Sequence, residues 1–131
     1  MTVWLGKTHP EHISIDDIAK KKVIAWKEVR HPKAMQFMSQ MKIGEKMLVY
    51  HSGDEKKIVG IVEIVKKTKD PGHPQGRLID VKFLKKFPEP NLTLADIKKS
   101  GQFKDFRLVW EPRLSVMDVP EAFLKYNNIE T

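Results

Sequence analysis

The chain is 131 residues long, 40% hydrophobic and 31% charged, which suits one packed globular core and excludes wholesale disorder. It has no cysteine, so disulfides, thiolate zinc sites, iron–sulfur clusters and cysteine nucleophiles are excluded together. A net charge of +7 favours a polyanionic partner such as nucleic acid or an anionic membrane; the alternative is a lysine-rich solvated surface.

In chain order, Thr2 to Lys7 (TVWLGK) reads as a short apolar first strand, with Trp4 assigned to the core. Pro10 disfavours helix at His9, which makes His9 to His12 a loop. Ser14-Ile-Asp-Asp17 has the Ser-x-x-acid form of a helix N-cap. Ile15, Ile18 and Ala19 then give a short amphipathic helix, and Lys20-Lys21-Lys22 suits its C-terminus. Val23 to Val29 is extended and partly loop-like. Pro32 fits the first position of a second helix, because its missing N–H costs nothing there. Ala34, Phe37, Met38 and Met41 follow at helical spacing as core packing, and Gly44 ends the pattern.

Met47 to His51 and Ile58 to Val65 read as an antiparallel hairpin around the Gly53-Asp54 turn. Gly60 inside the second strand implies a bulge or a group packed closely on the backbone. Lys66 to Gly76 is a polar loop with Asp70-Pro71-Gly72 and His73-Pro74. Leu78 to Phe87 alternates as a strand, and Thr93 caps a short helix over Leu94 to Lys99. Phe106 to Trp110 and Leu114 to Val116 are expected as final strands, which assigns Trp110 to the core. Pro120 to Tyr126 closes the chain as a helix capped by Asp118. The sum is a single α+β domain over residues 1–131, a curled mixed sheet or barrel flanked by short helices.

No P-loop, dinucleotide-binding glycine motif or nucleophile elbow is present, no catalytic constellation is identifiable, and no cofactor is expected. His9 and His12 would suit a metal on a helix, but Pro10 argues against a helix there and no third ligand is evident, so no metal is expected. Asp16 and Asp17 diverge on a helix, and capping explains them better than acid–base work. Tyr50-His51-Ser52 puts a phenol, an imidazole and a hydroxyl at a strand end. On a strand His51 points to the opposite face, so the three line the rim of a cavity or are a core tyrosine followed by a solvated turn. Trp26 lies in the most basic stretch: Lys20, Lys21, Lys22, Lys27, Arg30 and Lys33 stand against one acid, Glu28. An indole beside such cations is the usual means of holding unpaired bases and phosphates, the alternative being that Trp26 is simply buried. Lys22, Lys27 and Lys33 are the candidate phosphate ligands.

These segments, in this order, resemble the EVE domain family of the PUA-like superfamily, which is similar to YTH domains. Trp4-Leu-Gly-Lys7-Thr8-His9-Pro10 is similar to W-L-x-K-T-E-P, and Trp26-Lys-Glu-Val29-Arg30-His31 to W-x-G-V-R-N. Lys42-Ile-Gly44 through Tyr50-His51-Ser52 resembles K-x-G-D-x-x-x-x-Y-H-S, and Ile58-Val-Gly60-Ile-Val-Glu63 resembles I-V-G-I-A-E. Lys85-Lys86-Phe87-Pro88, Thr93-Leu94 and Arg113-Leu114-Ser115-Val116 complete the series. The resemblance implies a binding module whose pocket accepts a modified or flipped base in DNA or RNA. It implies that Trp26 walls the pocket, with Lys7 and Thr8 on the first strand, Arg30 and His31 beside it, Tyr50, His51 and Ser52 from the hairpin, and Arg113 and Ser115 from the late strand. The chain departs from the pattern at His9, Glu28 and His31. The loop that carries a second tryptophan in YTH domains has no aromatic here beyond the imidazole of His73.

The expected function is therefore nucleic-acid binding, of RNA or DNA, with a modified base in an aromatic pocket. The alternatives are a hydrolytic enzyme on modified nucleotides or nucleosides, served by Tyr50-His51-Ser52, and an accessory RNA-binding domain of purely electrostatic affinity. The first seven residues lack the layout of a signal peptide and no apolar run is long enough to cross a bilayer, so a cytoplasmic monomer with no membrane partner is the default expectation.

Overall fold

The computed structural model describes residues 1–26, 29, 31–68 and 78–131. Its strands are β1 (Val3–Thr8), β2 (Val23–Trp26), β3 (Lys46–His51), β4 (Lys57–Thr68), β5 (Leu78–Lys86), β6 (Leu92–Thr93) and β7 (Val116–Asp118). Its helices are α1 (Ile15–Lys21), α2 (Pro32–Gln40), α3 (Leu94–Ser100), α4 (Arg107–Trp110) and α5 (Glu121–Tyr126). One mixed, curled sheet runs β2-β5-β4-β3-β1-β7, with β6 paired to β4, and it does not close. β1 and β3 are parallel, with Lys7 beside Tyr50 and Thr8 beside His51; the other pairings are antiparallel.

Local chemistry explains most boundaries. α1 opens on a reciprocal capping box, Asp17 N–H to Ser14 Oγ and Ser14 N–H to Asp17 Oδ2, and ends on Lys20 and Lys21. Pro32 begins α2, and the ring of His31 takes the Lys33 N–H at 3.2 Å as its cap. Thr93 and Asp96 form a second capping box on α3, which stops at Gly101 with φ of +68°. α1 packs on β5 and α2 on β7, and Leu5, Met47, Leu48, Val49, Ile18 and Phe123 are sealed in the core. Gly60 is the site of close approach: a β-carbon there would lie 2.6 Å from Ile15 Cδ1 and 2.6 Å from the Lys85 carbonyl oxygen. One buried carboxylate organises the other end of β1. Glu45 accepts from Trp4 Nε1, Lys42 N and Thr2 N at 3.0, 2.6 and 3.1 Å. Burial pushes the Glu45 carboxyl up, but these three hydrogen bonds and the nearby Lys42 charge outweigh it and hold it below its ordinary value.

Four expectations are corrected. Phe106 to Trp110 is not a strand but a single helical turn preceded by Phe106: Phe106 N donates to Phe103 O and Glu111 N to Arg107 O. A short apolar run does not distinguish strand from helical turn. The turn buries Phe106 and Leu108 and leaves Trp110 53% exposed, so Trp110 is not in the core. The last strand is Val116–Asp118 rather than Leu114 to Val116, and α5 is preceded by Pro120 with no side-chain cap, so Asp118 does not cap it.

Candidate nucleic-acid interface

The curl of the sheet brings β2 over β1. The indole of Trp26 lies against Gly6, where a β-carbon would come within 2.8 Å of Trp26 Cζ2 and 2.9 Å of Met47 Sδ. Any side chain at position 6 would occupy the space the indole takes. Beside this contact is a cavity of about 420 Å³ lined by the end of β1 (Lys7, Thr8), the following loop (His9, His12, Ile13), Lys21, β2 (Ile24, Ala25, Trp26), Val29 and Ser115. That volume is within the usual range for small-ligand sites. Trp26 is 4% exposed and forms part of the cavity's wall. Among the described residues no hydrogen bond uses its indole N–H, and no buried polar side-chain atom is left without a partner, so this N–H reaches solvent.

Of the residues expected from the sequence, Trp26, Lys7, Thr8 and Ser115 meet at this cavity. Lys7 Nζ donates to the Pro112 carbonyl at 2.9 Å and lies 5.6 Å from the Tyr50 ring centroid, while its backbone N–H donates to Ser115 O at 2.8 Å. Burial pushes the Lys7 ammonium below the ordinary lysine value. Thr8 Oγ1 donates to Ile13 O at 3.0 Å, which ties the loop back to β1. Lys21, adjacent to the predicted phosphate ligand Lys22, brings a second cation to the wall.

The hairpin end is placed differently. Tyr50, His51 and Ser52 do not line the cavity, which lies between β1, its loop and β2 rather than between β1 and the hairpin. Tyr50 is buried beneath Lys7, and burial raises its phenol above its ordinary pKa. His51 is buried and engaged through both nitrogens. Ile15 N donates to Nε2 at 3.0 Å, so Nε2 is the bare nitrogen and Nδ1 carries the proton directed at Glu55 Oε1, 2.9 Å away. This hydrogen bond, first among several contributions, holds the Glu55 carboxyl below its ordinary value. His51 thus anchors the start of α1 and does not line the cavity. Ser52 N–H donates to Thr8 O at 3.0 Å.

His31 is exposed and caps α2; Arg113 is exposed; neither lines the cavity. Lys22 is exposed at the end of α1, and Lys33 pairs with Glu111 at 2.8 Å. Lys27 and Arg30, and residues 69–77 of the loop compared with YTH domains, lie outside the described residues. His9 and His12, where no metal is expected, lie 5.5 Å apart between ring centroids and wall the cavity. Their position follows from Pro10, which turns the chain back on itself after Lys7-Thr8. A larger cleft of about 890 Å³, between Phe87, Leu92 and Asn127, contains none of the expected site residues. Among the described residues no helix is long and apolar enough to cross a membrane, and no group of three or more metal-ligating side chains is found.

Known proteins share this architecture. The chain is 28% identical to thymocyte nuclear protein 1 of Gallus gallus over 155 residues, covering 90% of this chain and 64% of that relative, so it spans about two thirds of the relative's length. A protein of Agrobacterium tumefaciens superposes with a TM-score of 0.88 at 30% identity, covering 98% of this chain and 92% of that one. Human THYN1, solved in complex with DNA containing 5-methylcytosine, superposes with a TM-score of 0.86 at 25% identity, covering 100% of this chain and 99% of that one. With a model of the EVE domain family matching residues 2–127, the chain belongs to that family.

Proposed function

We propose that this chain is a nucleic-acid-binding domain that takes one modified base, flipped out of its strand, into the cavity beside Trp26. The observation that carries the reading is the make-up of that cavity: an indole whose N–H has no partner among the described residues, two lysines and the apolar side chains of Ile13, Ile24, Ala25 and Val29 line one volume. Stacking on an aromatic contributes roughly 1–3 kcal/mol per base, which offsets the few kcal/mol that flipping costs. The Trp26 N–H and the Thr8 and Ser115 hydroxyls are the polar groups for a base edge, and Lys7 and Lys21 meet the flanking phosphates. The complex of human THYN1 with DNA containing 5-methylcytosine supports the same ligand class here.

The apolar part of the wall favours an added methyl group. Ile24, Ala25 and Val29 would bury it, and one buried methylene-sized group contributes roughly 0.8 kcal/mol, or about a fourfold preference. The engagement of both His51 nitrogens argues against a hydrolytic role for Tyr50-His51-Ser52. The test is titration with matched oligonucleotides carrying cytosine or 5-methylcytosine at one position. The expected result is tighter binding of the methylated strand, lost in Trp26→Phe. Equal affinities for the two strands, unaffected by that substitution, would overturn the reading.

A further inference from the structure

Trp110 is the one tryptophan that the cavity and the core leave unexplained. It ends α4, and 53% of its surface is open to water. Its Nε1–H donates to Asp105 O at 3.3 Å, which sets the orientation of the ring. Two cations lie over that ring, the Arg107 guanidinium 5.3 Å and Lys33 Nζ 5.7 Å from its centroid, and a base that stacks there packs against the part of the ring they leave open. Glu111 holds both cations in place, accepting from Lys33 Nζ at 2.8 Å and from Arg107 Nη1. An indole with its edge and its neighbours fixed, yet half exposed, is pre-ordered for a planar ligand and loses little side-chain entropy on binding it.

Its position relates it to the cavity. Trp110 is two residues from Pro112, whose carbonyl is bonded to Lys7 Nζ, and five from Ser115, which lines the cavity. The chain between Trp110 and Pro112 spans at most about 7 Å. Arg113, exposed, directly follows Pro112, and exposed His31 accepts from the backbone N–H of Lys33.

We propose that Trp110 is a second stacking platform, which receives an unpaired base flanking the one in the cavity while Lys33, Arg107 and Arg113 draw in its phosphates. The inference rests on the binding function proposed above and adds to it a second contact on the same strand. Aromatic faces stack on any base, and cations beside them answer the backbone; that combination selects single-stranded nucleic acid over a neutral protein surface.

Binding by the whole chain tests it, with two probes: a short single-stranded oligonucleotide containing one 5-methylcytosine, and the free nucleoside 5-methyldeoxycytidine. Trp110 is exposed, so Trp110→Ala should fold normally, as its melting curve will report. It should weaken oligonucleotide binding about tenfold, leave nucleoside binding unchanged, and be largely rescued by Trp110→Phe. Iodide quenching gives an independent readout, because Trp4 and Trp26 are 3% and 4% exposed and Trp110 supplies the accessible emission. Saturating oligonucleotide should shield it. If Trp110→Ala binds the oligonucleotide like the parent and quenching is unchanged, the platform is wrong even when Trp26→Phe loses both probes. If Trp26→Phe binds both probes normally while Trp110→Ala loses the oligonucleotide, the cavity reading fails and the platform stands. If the parent is a dimer that Trp110→Ala dissociates, with oligonucleotide affinity unchanged, the surface belongs to a second copy and the proposal is overturned.

Discussion

Gly6 and Trp26 meet edge to backbone across the curled sheet, with a β-carbon at position 6 predicted 2.8 Å from Trp26 Cζ2. The contact joins β1 to β2, which are not neighbours in the sheet order, and it places the indole at the cavity wall. Gly6→Ala is expected to displace the buried Trp26 ring from its contact with β1 and towards the cavity, at a cost of about 1–3 kcal/mol. Thermal melting and oligonucleotide affinity should fall together. An alanine variant that melts and binds like the parent would show that the indole is not pinned there.

Lys7 separates stability from binding. Its folded pKa is lowered by burial, so the charged form is disfavoured in the fold, and stability from this group rises as pH climbs through the folded value towards the unfolded one near 10.4. Lys7→Met should therefore leave the melting temperature at neutral pH unchanged or raise it. The same variant should bind oligonucleotides more weakly and lower the slope of log affinity against log salt by about one contact. In the parent, binding should weaken as pH rises through the lowered lysine value. A Lys7→Met variant with an unaltered salt slope would remove Lys7 from the interface.

His51 should behave as a structural residue. His51→Ala leaves the Ile15 N–H at the start of α1 without its acceptor, a loss of about 1–3 kcal/mol. That corresponds to a melting temperature lower by roughly 4 °C per kcal/mol. Affinity measured on folded protein at low temperature should hold. A variant that melts normally but loses all binding would return His51 to the ligand site.

Glu45 gives the fold an acid-sensitive point. Its folded pKa is depressed, so its contribution is complete above the unfolded value near 4.3 and is lost as pH falls through the folded value. Glu55 is also depressed, so the diagnostic quantity is the difference between the parent and Glu45→Gln across this window. The gap in melting temperature should be largest at neutral pH and narrow below about pH 4. Glu45→Ala should cost about 3 kcal/mol, because Trp4 Nε1 and two backbone N–H groups lose their acceptor. A parent–variant gap that is flat with pH would contradict this role.

The legible parts of the fold were those written in local chemistry. Ser14 with Asp17, Pro32, Thr93 and the Gly53 turn marked element ends that depend only on near neighbours. Gly60 was legible as a place of close approach, but not that Ile15 fills it, because that partner lies 45 positions away. Trp110 was misplaced because four apolar-rich residues fit a strand and a helical turn equally well. The cavity was half legible. Trp26, Lys7, Thr8 and Ser115 follow from family motifs, whereas His9, His12 and Lys21 arrive through the curl that sets β2 over β1. The place of Tyr50-His51-Ser52 outside the cavity was not legible, because a motif gives the sequence of side chains but not their hydrogen-bond partners, which for His51 are Ile15 N and Glu55.

The most direct measurement of the central claim is the set of three tryptophan indole N–H signals in a nitrogen–proton correlation spectrum during titration with an oligonucleotide containing 5-methylcytosine. Trp4 Nε1–H is bonded to Glu45 and buried, so its signal should stay in place as an internal control. The Trp26 signal, from an N–H with no hydrogen-bond partner among the described residues, should shift and saturate with the measured affinity, and shift less with the unmethylated strand. A Trp26 signal that stays still while the oligonucleotide saturates the protein would contradict the claim that the base enters the cavity beside it.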